Sequence, residues 1–297
     1  MNDMKDNESK NEPIKLLSPR VYANILRPEN FLIFNFDPLK REIQEDIARN
    51  NLDLSVYVLN IRDGASFGIN EEKPFDAASL NKLPVAIIIL KKVEEGKLSL
   101  DTILPIFPED RNSFSGTLYS RNINGLSIRE LLRYLLQESD NTAFSVFARQ
   151  ISLDEGQQLT SYLNYYQPYI NYLMPPKDLQ ITPKSASNIF SSLYLSTILN
   201  IGYSEMILSL LTNTSFDIKK YANLPEDVVV AQKYGSFYYE NNNLFSSCGI
   251  LYIKDSRIFY CIVSKGLGKE NASQAIGRIV NKIYNYIIQA RSMNYIF

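Results

Sequence analysis

Apolar residues recur at four-residue spacing in Leu39, Ile43 and Ile47, behind a proline at 38, and predict a helix over 38–50. Alternation through Leu54, Val56 and Val58 predicts a strand over 54–61. Asp63-Gly64 then supplies the turn into a second strand over 65–69. From 79 to about 211 the period is helical, broken by loops. Three strand-like runs follow, at 228–239, 244–254 and 257–264. A final amphipathic helix over 272–291 carries Ile276, Ile279, Val280, Ile283, Tyr284 and Ile287 on one stripe. Five strands in two groups, a helix at each end and a helical block between them make an α+β layout. The expected organisation is a flexible polar tail over 1–16 and one unit over 17–297. Within that unit 17–76 and 212–297 form the α/β part, 77–211 forms the helical part, and 17–36 is an extended lead-in.

Composition narrows the chemistry. The chain has no histidine, so a Ser-His-Asp triad and any imidazole zinc site are excluded. A base working near neutral pH must then be lysine, a carboxylate or tyrosine. With 31 basic and 32 acidic residues, nothing favours nucleic acid or an anionic lipid surface as a partner. No segment has the apolar length of a membrane span. The two cysteines fall in the hairpin of the last two strand runs. With Asp255 and Ser256 as the central turn residues, Cys261 faces Ile250 and Cys248 stands one diagonal step away. Two free, buried thiols are therefore expected.

Three short groups carry candidate chemistry. Ser79-Leu80-Asn81-Lys82 opens a helix, and three-residue spacing places serine and lysine on one face. The positive end of the helix favours an alkoxide or an oxyanion there. A lysine is a base only when neutral, and burial beside a second cation lowers its pKa. Ser139-Asp140-Asn141 offers a hydroxyl that can relay a proton and an amide that can hold a substrate carbonyl. Lys233-Tyr234-Gly235-Ser236 lies in a strand. Its glycine suits close approach of a ligand, Lys233 supplies the second charge, and the Ser236 N–H offers half of an oxyanion hole. Alone, each group reads equally well as caps, turns and solvated lysines.

Together and in this order they match the S-x-x-K, S-D-N and K-T-G set. From about Asp53 to the C-terminus the chain resembles the superfamily of class A β-lactamases and penicillin-binding proteins. Phe75-Asp76-Ala77-Ala78, Gly96-Lys97-Leu98-Ser99-Leu100-Asp101 and Leu126-Ser127-Ile128-Arg129-Glu130-Leu131-Leu132 look like its connecting segments. The resemblance implies a five-stranded antiparallel sheet with N- and C-terminal helices and an inserted helical subdomain. It implies Ser79 as the acylated nucleophile, Lys82 as its base and Ser139 as the proton donor to the leaving nitrogen. Asn141 would bind the substrate amide, Lys233 would anchor a carboxylate, and the N–H groups of Ser79 and Ser236 would form the oxyanion hole. No metal or cofactor is implied. The expected partner is a small β-lactam or D-Ala-type peptide or ester, met by a monomer outside the cytoplasmic membrane.

Two departures from the family matter. Tyr234 stands where threonine or serine is usual, and no arginine lies between Lys233 and Arg257. Residues 156–177 contain no Asp or Glu, so the acid that would activate the deacylating water is missing; Asp178 is the first one available. The expectation is a serine hydrolase that acylates and releases slowly. A penicillin-binding D,D-peptidase, esterase or amidase is the alternative, and a non-catalytic cell-envelope binding module is a third.

Overall fold

The computed structural model describes Leu16 and residues 35–162, 180–239, 242–254 and 256–293. The polar tail apart from Leu16, most of the 17–36 lead-in, and Asp178 lie outside the described residues. Helix α1 (Asp37–Arg49) begins with Pro38 in its first turn and buries Leu39 and Ile43. Strands β1 (Asp53–Asn60) and β2 (Ser66–Ile69) form the expected hairpin, and β3 (Phe75–Asp76) leads into a single 3-10 turn at Ala78–Asn81. Helix α2 (Lys82–Glu94) follows, buried nearly all round. Strands β4 (Ile103–Pro105) and β5 (Gly125–Ser127) precede helices α3 (Ile128–Gln137), α4 (Asn141–Ala148) and α5 (Leu153–Tyr162). Then come β6 (Gln180–Ile181), α6 (Pro183–Leu195), α7 (Ile201–Leu211) and α8 (Ile218–Tyr221). Strands β7 (Val229–Tyr239), β8 (Asn242–Ile253) and β9 (Ser256–Lys265) end at α9 (Lys269–Met293).

The main sheet is antiparallel, in the order β2-β1-β9-β8-β7. One face packs Val56, Val58, Phe245, Tyr260 and Ile262 against α1 and α9. The other packs Tyr57, Cys248, Phe259 and Val263 against the helical layer that holds α2, α3 and α6. The period of two along each strand explains the split, since successive side chains serve opposite cores. The last strand, β7, is an edge, and its outer side meets the turn that carries Ser79.

The expectation of free thiols is overturned: Cys248 and Cys261 form a disulfide. Ile253 pairs with Ser256, which shifts the β8–β9 register and sets Cys248 directly opposite Cys261. Lys254 adopts φ +40°, so the reversal begins one residue earlier than the sequence suggested. The short β4–β5 ladder inside the expected helical block, and the β3–β6 ladder that joins its edge to β6 within it, were also missed.

Candidate active site

Ser79 lies in the 3-10 turn, and Lys82 is the first residue of α2. In a 3-10 turn side chains three apart eclipse each other, which aligns this pair more closely than an α-helix does. Lys82 Nζ is 2.8 Å from Ser79 Oγ and 2.7 Å from Asn141 Oδ1. Its side chain is buried, with the Phe144 ring 5.5 Å away, whereas Ser79 is half-buried. The turn is held from below: Asp76 Oδ1 accepts the Ala78 N–H at 2.7 Å, and Ala78 takes φ +44°.

Ser139 occupies the gap between α3 and α4 at φ +55°. Asp140 caps α4, with Oδ1 accepting from the Ala143 N–H at 2.9 Å and Oδ2 from the Leu118 N–H at 2.8 Å. This cap sets the direction of both neighbours. Ser139 Oγ accepts from Lys233 Nζ at 2.8 Å, and Asn141 turns to Lys82. Three residues thereby join two lysines that are 151 positions apart.

Lys233 reaches the site from β7 and is completely buried. Gly235 allows the contact between β7 and the nucleophile turn: a Cβ there would come within 3.0 Å of the Ala77 carbonyl oxygen. The glycine is needed for approach of this chain's own backbone, which refines the expectation that it makes room for a ligand. Ser236 follows it, beside the Ser79 turn.

Burial carries Lys82 down to about 7, against the pull of the Asp140 carboxylate. Burial also drives Lys233 well below the ordinary lysine range, and the charge of Lys82 adds to that. Removal of the two amines from water is thus the main cause, ahead of the repulsion that Lys233 meets from Lys82. Asp140→Asn keeps the Oδ1 cap and removes the charge that holds Lys82 protonated. The acylation pH profile is expected to shift towards acid, with a stability loss of about 1–3 kcal/mol from the unmet Leu118 N–H. Rate against pH, and thermal melting, check the two parts.

Among the described residues, two glutamates of the helical layer are engaged elsewhere. Glu155 pairs with Lys92 at 3.0 Å, and Lys92 lies ten residues along α2 from Lys82, about 15 Å at helical rise. Glu138 accepts from Thr117 at 2.6 Å and from Arg133 at 3.2 Å. Arg257 donates to carbonyls beside the β8–β9 turn, at Lys254 and Ser256.

The model of the Beta-lactamase enzyme family matches residues 38–287. The chain belongs to that family. Beta-lactamase VEB-1 of Pseudomonas aeruginosa is 21% identical over 272 residues, covering 85% of this chain and 91% of the relative. A beta-lactamase of Proteus vulgaris is 26% identical over 206 residues, 64% of this chain and 67% of that one. Among solved structures, the beta-lactamase from Chitinophaga pinensis superposes with TM-score 0.74 at 20% identity, covering 84% and 99% of the two chains. A PBP-A mutant held as an acyl-enzyme complex with penicillin-G gives 0.76 at 22%, covering 89% and 100%. The protein is accordingly a serine hydrolase of the beta-lactamase type, with the beta-lactamase fold. Two residues of the site were missed in the sequence. Asn112 Oδ1 accepts from Asn141 Nδ2 at 3.3 Å, and the Ser215 hydroxyl lies 2.9 Å from the Tyr234 hydroxyl. Neither has a local motif; only the fold brings them in.

Proposed function

We propose that the protein is acylated at Ser79 by β-lactams or related amides and esters, and that it releases the acyl group slowly. The observation that carries this is the buried contact of Lys82 Nζ with Ser79 Oγ at 2.8 Å. With Lys82 neutral, Nζ takes the Oγ proton as Oγ attacks the carbonyl carbon. The N–H groups of Ser79 and Ser236 receive the oxyanion, which the junction of turn and strand at Gly235 supports. As the tetrahedral intermediate collapses, Ser139 gives its proton to the leaving nitrogen and is resupplied from Lys233, whose Nζ donates to its Oγ at 2.8 Å, while Lys82 keeps the proton taken from Ser79. Asn141 holds the substrate amide.

Slow release rests on the acids. Residues 156–177 contain none, and those described near the site are committed to caps or ion pairs. Without a carboxylate to activate water, loss of general-base help slows deacylation by about a hundredfold or more. A chromogenic β-lactam mixed rapidly with the protein should give a burst of one equivalent, then a much slower linear phase. Linear turnover from the first instant at the burst rate would overturn slow release. The same reading places the protein outside the cytoplasmic membrane, which the Cys248–Cys261 disulfide supports because such bonds persist in oxidising compartments.

A further inference from the structure

Tyr234 replaces a small hydroxyl beside the buried lysine, and its placement has a consequence for the substrate. The Lys233 ammonium stands 4.5 Å from the centre of the Tyr234 ring, and Lys233 has no exposed surface. Its hydrogen bonds go to Ser139 Oγ at 2.8 Å and to the Tyr234 carbonyl at 3.3 Å. The ring is fixed from behind by Phe216 at 5.5 Å and by Phe245, stacked at 6.1 Å. Its hydroxyl is 2.9 Å from that of Ser215, and the Ser215 N–H donates to the Gln137 carbonyl at 2.8 Å. Stacking and the hydroxyl pair therefore lock the ring in one place.

We propose that Tyr234, held by Ser215 and by the Phe216 and Phe245 rings, is a specificity-determining residue that closes Lys233 to a substrate carboxylate. The site then takes acyl donors whose group facing Lys233 is uncharged, an ester or amide in place of a free acid. The physical reason is desolvation. A carboxylate entering here loses its water and meets the negative face of an aromatic ring, so no bidentate ion pair offsets the cost. A neutral carbonyl gives up far less hydration. This inference rests on acylation at Ser79.

The test compares second-order rates of Ser79 acylation by a reporter cephalosporin with a free carboxylate and by its methyl ester, followed by intact mass. The wild-type protein should react with the ester at least as fast as with the acid. Tyr234→Thr should raise the acid-to-ester ratio about tenfold or more, and Tyr234→Phe, which keeps the ring, should leave it within about threefold. The ratio cancels any general loss of active protein, and the wild-type value decides even if Tyr234→Thr fails to fold. A wild-type preference for the acid of about tenfold overturns this proposal and leaves acylation standing. If neither compound labels Ser79, the acyl-transfer reading falls and this one with it.

Discussion

Ser79→Ala is expected to abolish covalent labelling by β-lactams, with a loss of about 10³-fold or more in the rate of ring opening. Among the described residues, Ser79 is the half-exposed hydroxyl that a lysine lowered to about 7 touches, at 2.8 Å. Ser139 is bonded to Lys233 but is wholly buried between two helices, whereas Ser79 is half-exposed on its turn. The change should spare the fold. The Ser79 hydroxyl accepts from Lys82 Nζ, and that amine keeps its second bond to Asn141, so removal of the hydroxyl costs about 1 kcal/mol. An inactive protein with an unaltered melting transition is the expected pairing. Equal labelling of the variant would sink the nucleophile assignment.

Replacing Lys82 has the second largest effect. Lys82→Met removes the base while keeping the length and burial of the side chain, and should slow acylation by about 10²- to 10⁴-fold. Lys82→Arg should be as impaired, because guanidinium keeps the positive charge but cannot give up its proton. The sign of the pH dependence follows from the base role. With Lys82 lowered to about 7, the wild-type rate falls as pH drops below that value and levels off above it. In Lys82→Met this inflection should disappear. Stopped-flow acylation rates between pH 5 and 9 measure both, and an active Lys82→Arg protein would show that charge, not proton transfer, is what matters.

Much of this site was legible before any coordinates, for a physical reason. Ser79 and Lys82 lie three apart on one turn, and Ser139 and Asn141 flank a single capping aspartate, so local geometry alone nearly places them. The apolar period likewise marked α1, α9 and the five long strands. What stayed hidden depends on distant contacts or on a one-residue shift. The β3–β6 and β4–β5 ladders are too short to show a period. The hairpin reversal begins at Lys254, and that single step turned an expected diagonal cysteine pair into an opposed, bonded one. Burial beside a second cation was expected to lower the lysine; burial is the larger cause at both amines, and the neighbouring cation adds to it at Lys233. The Ser215–Tyr234 pair joins a loop to a strand 19 residues on, with no motif to announce it.

The central claim, acylation at Ser79 ahead of release, meets its most direct test in one time course. The wild-type protein is mixed with a slight excess of penicillin-G methyl ester, sampled from seconds to hours, and read by intact mass followed by peptide mapping. The account predicts a single adduct of the full mass of the ester, carried by the peptide that contains Ser79 and persisting after the free ester is gone. An adduct on any other residue, or ester consumed with no adduct at the earliest times, would contradict it.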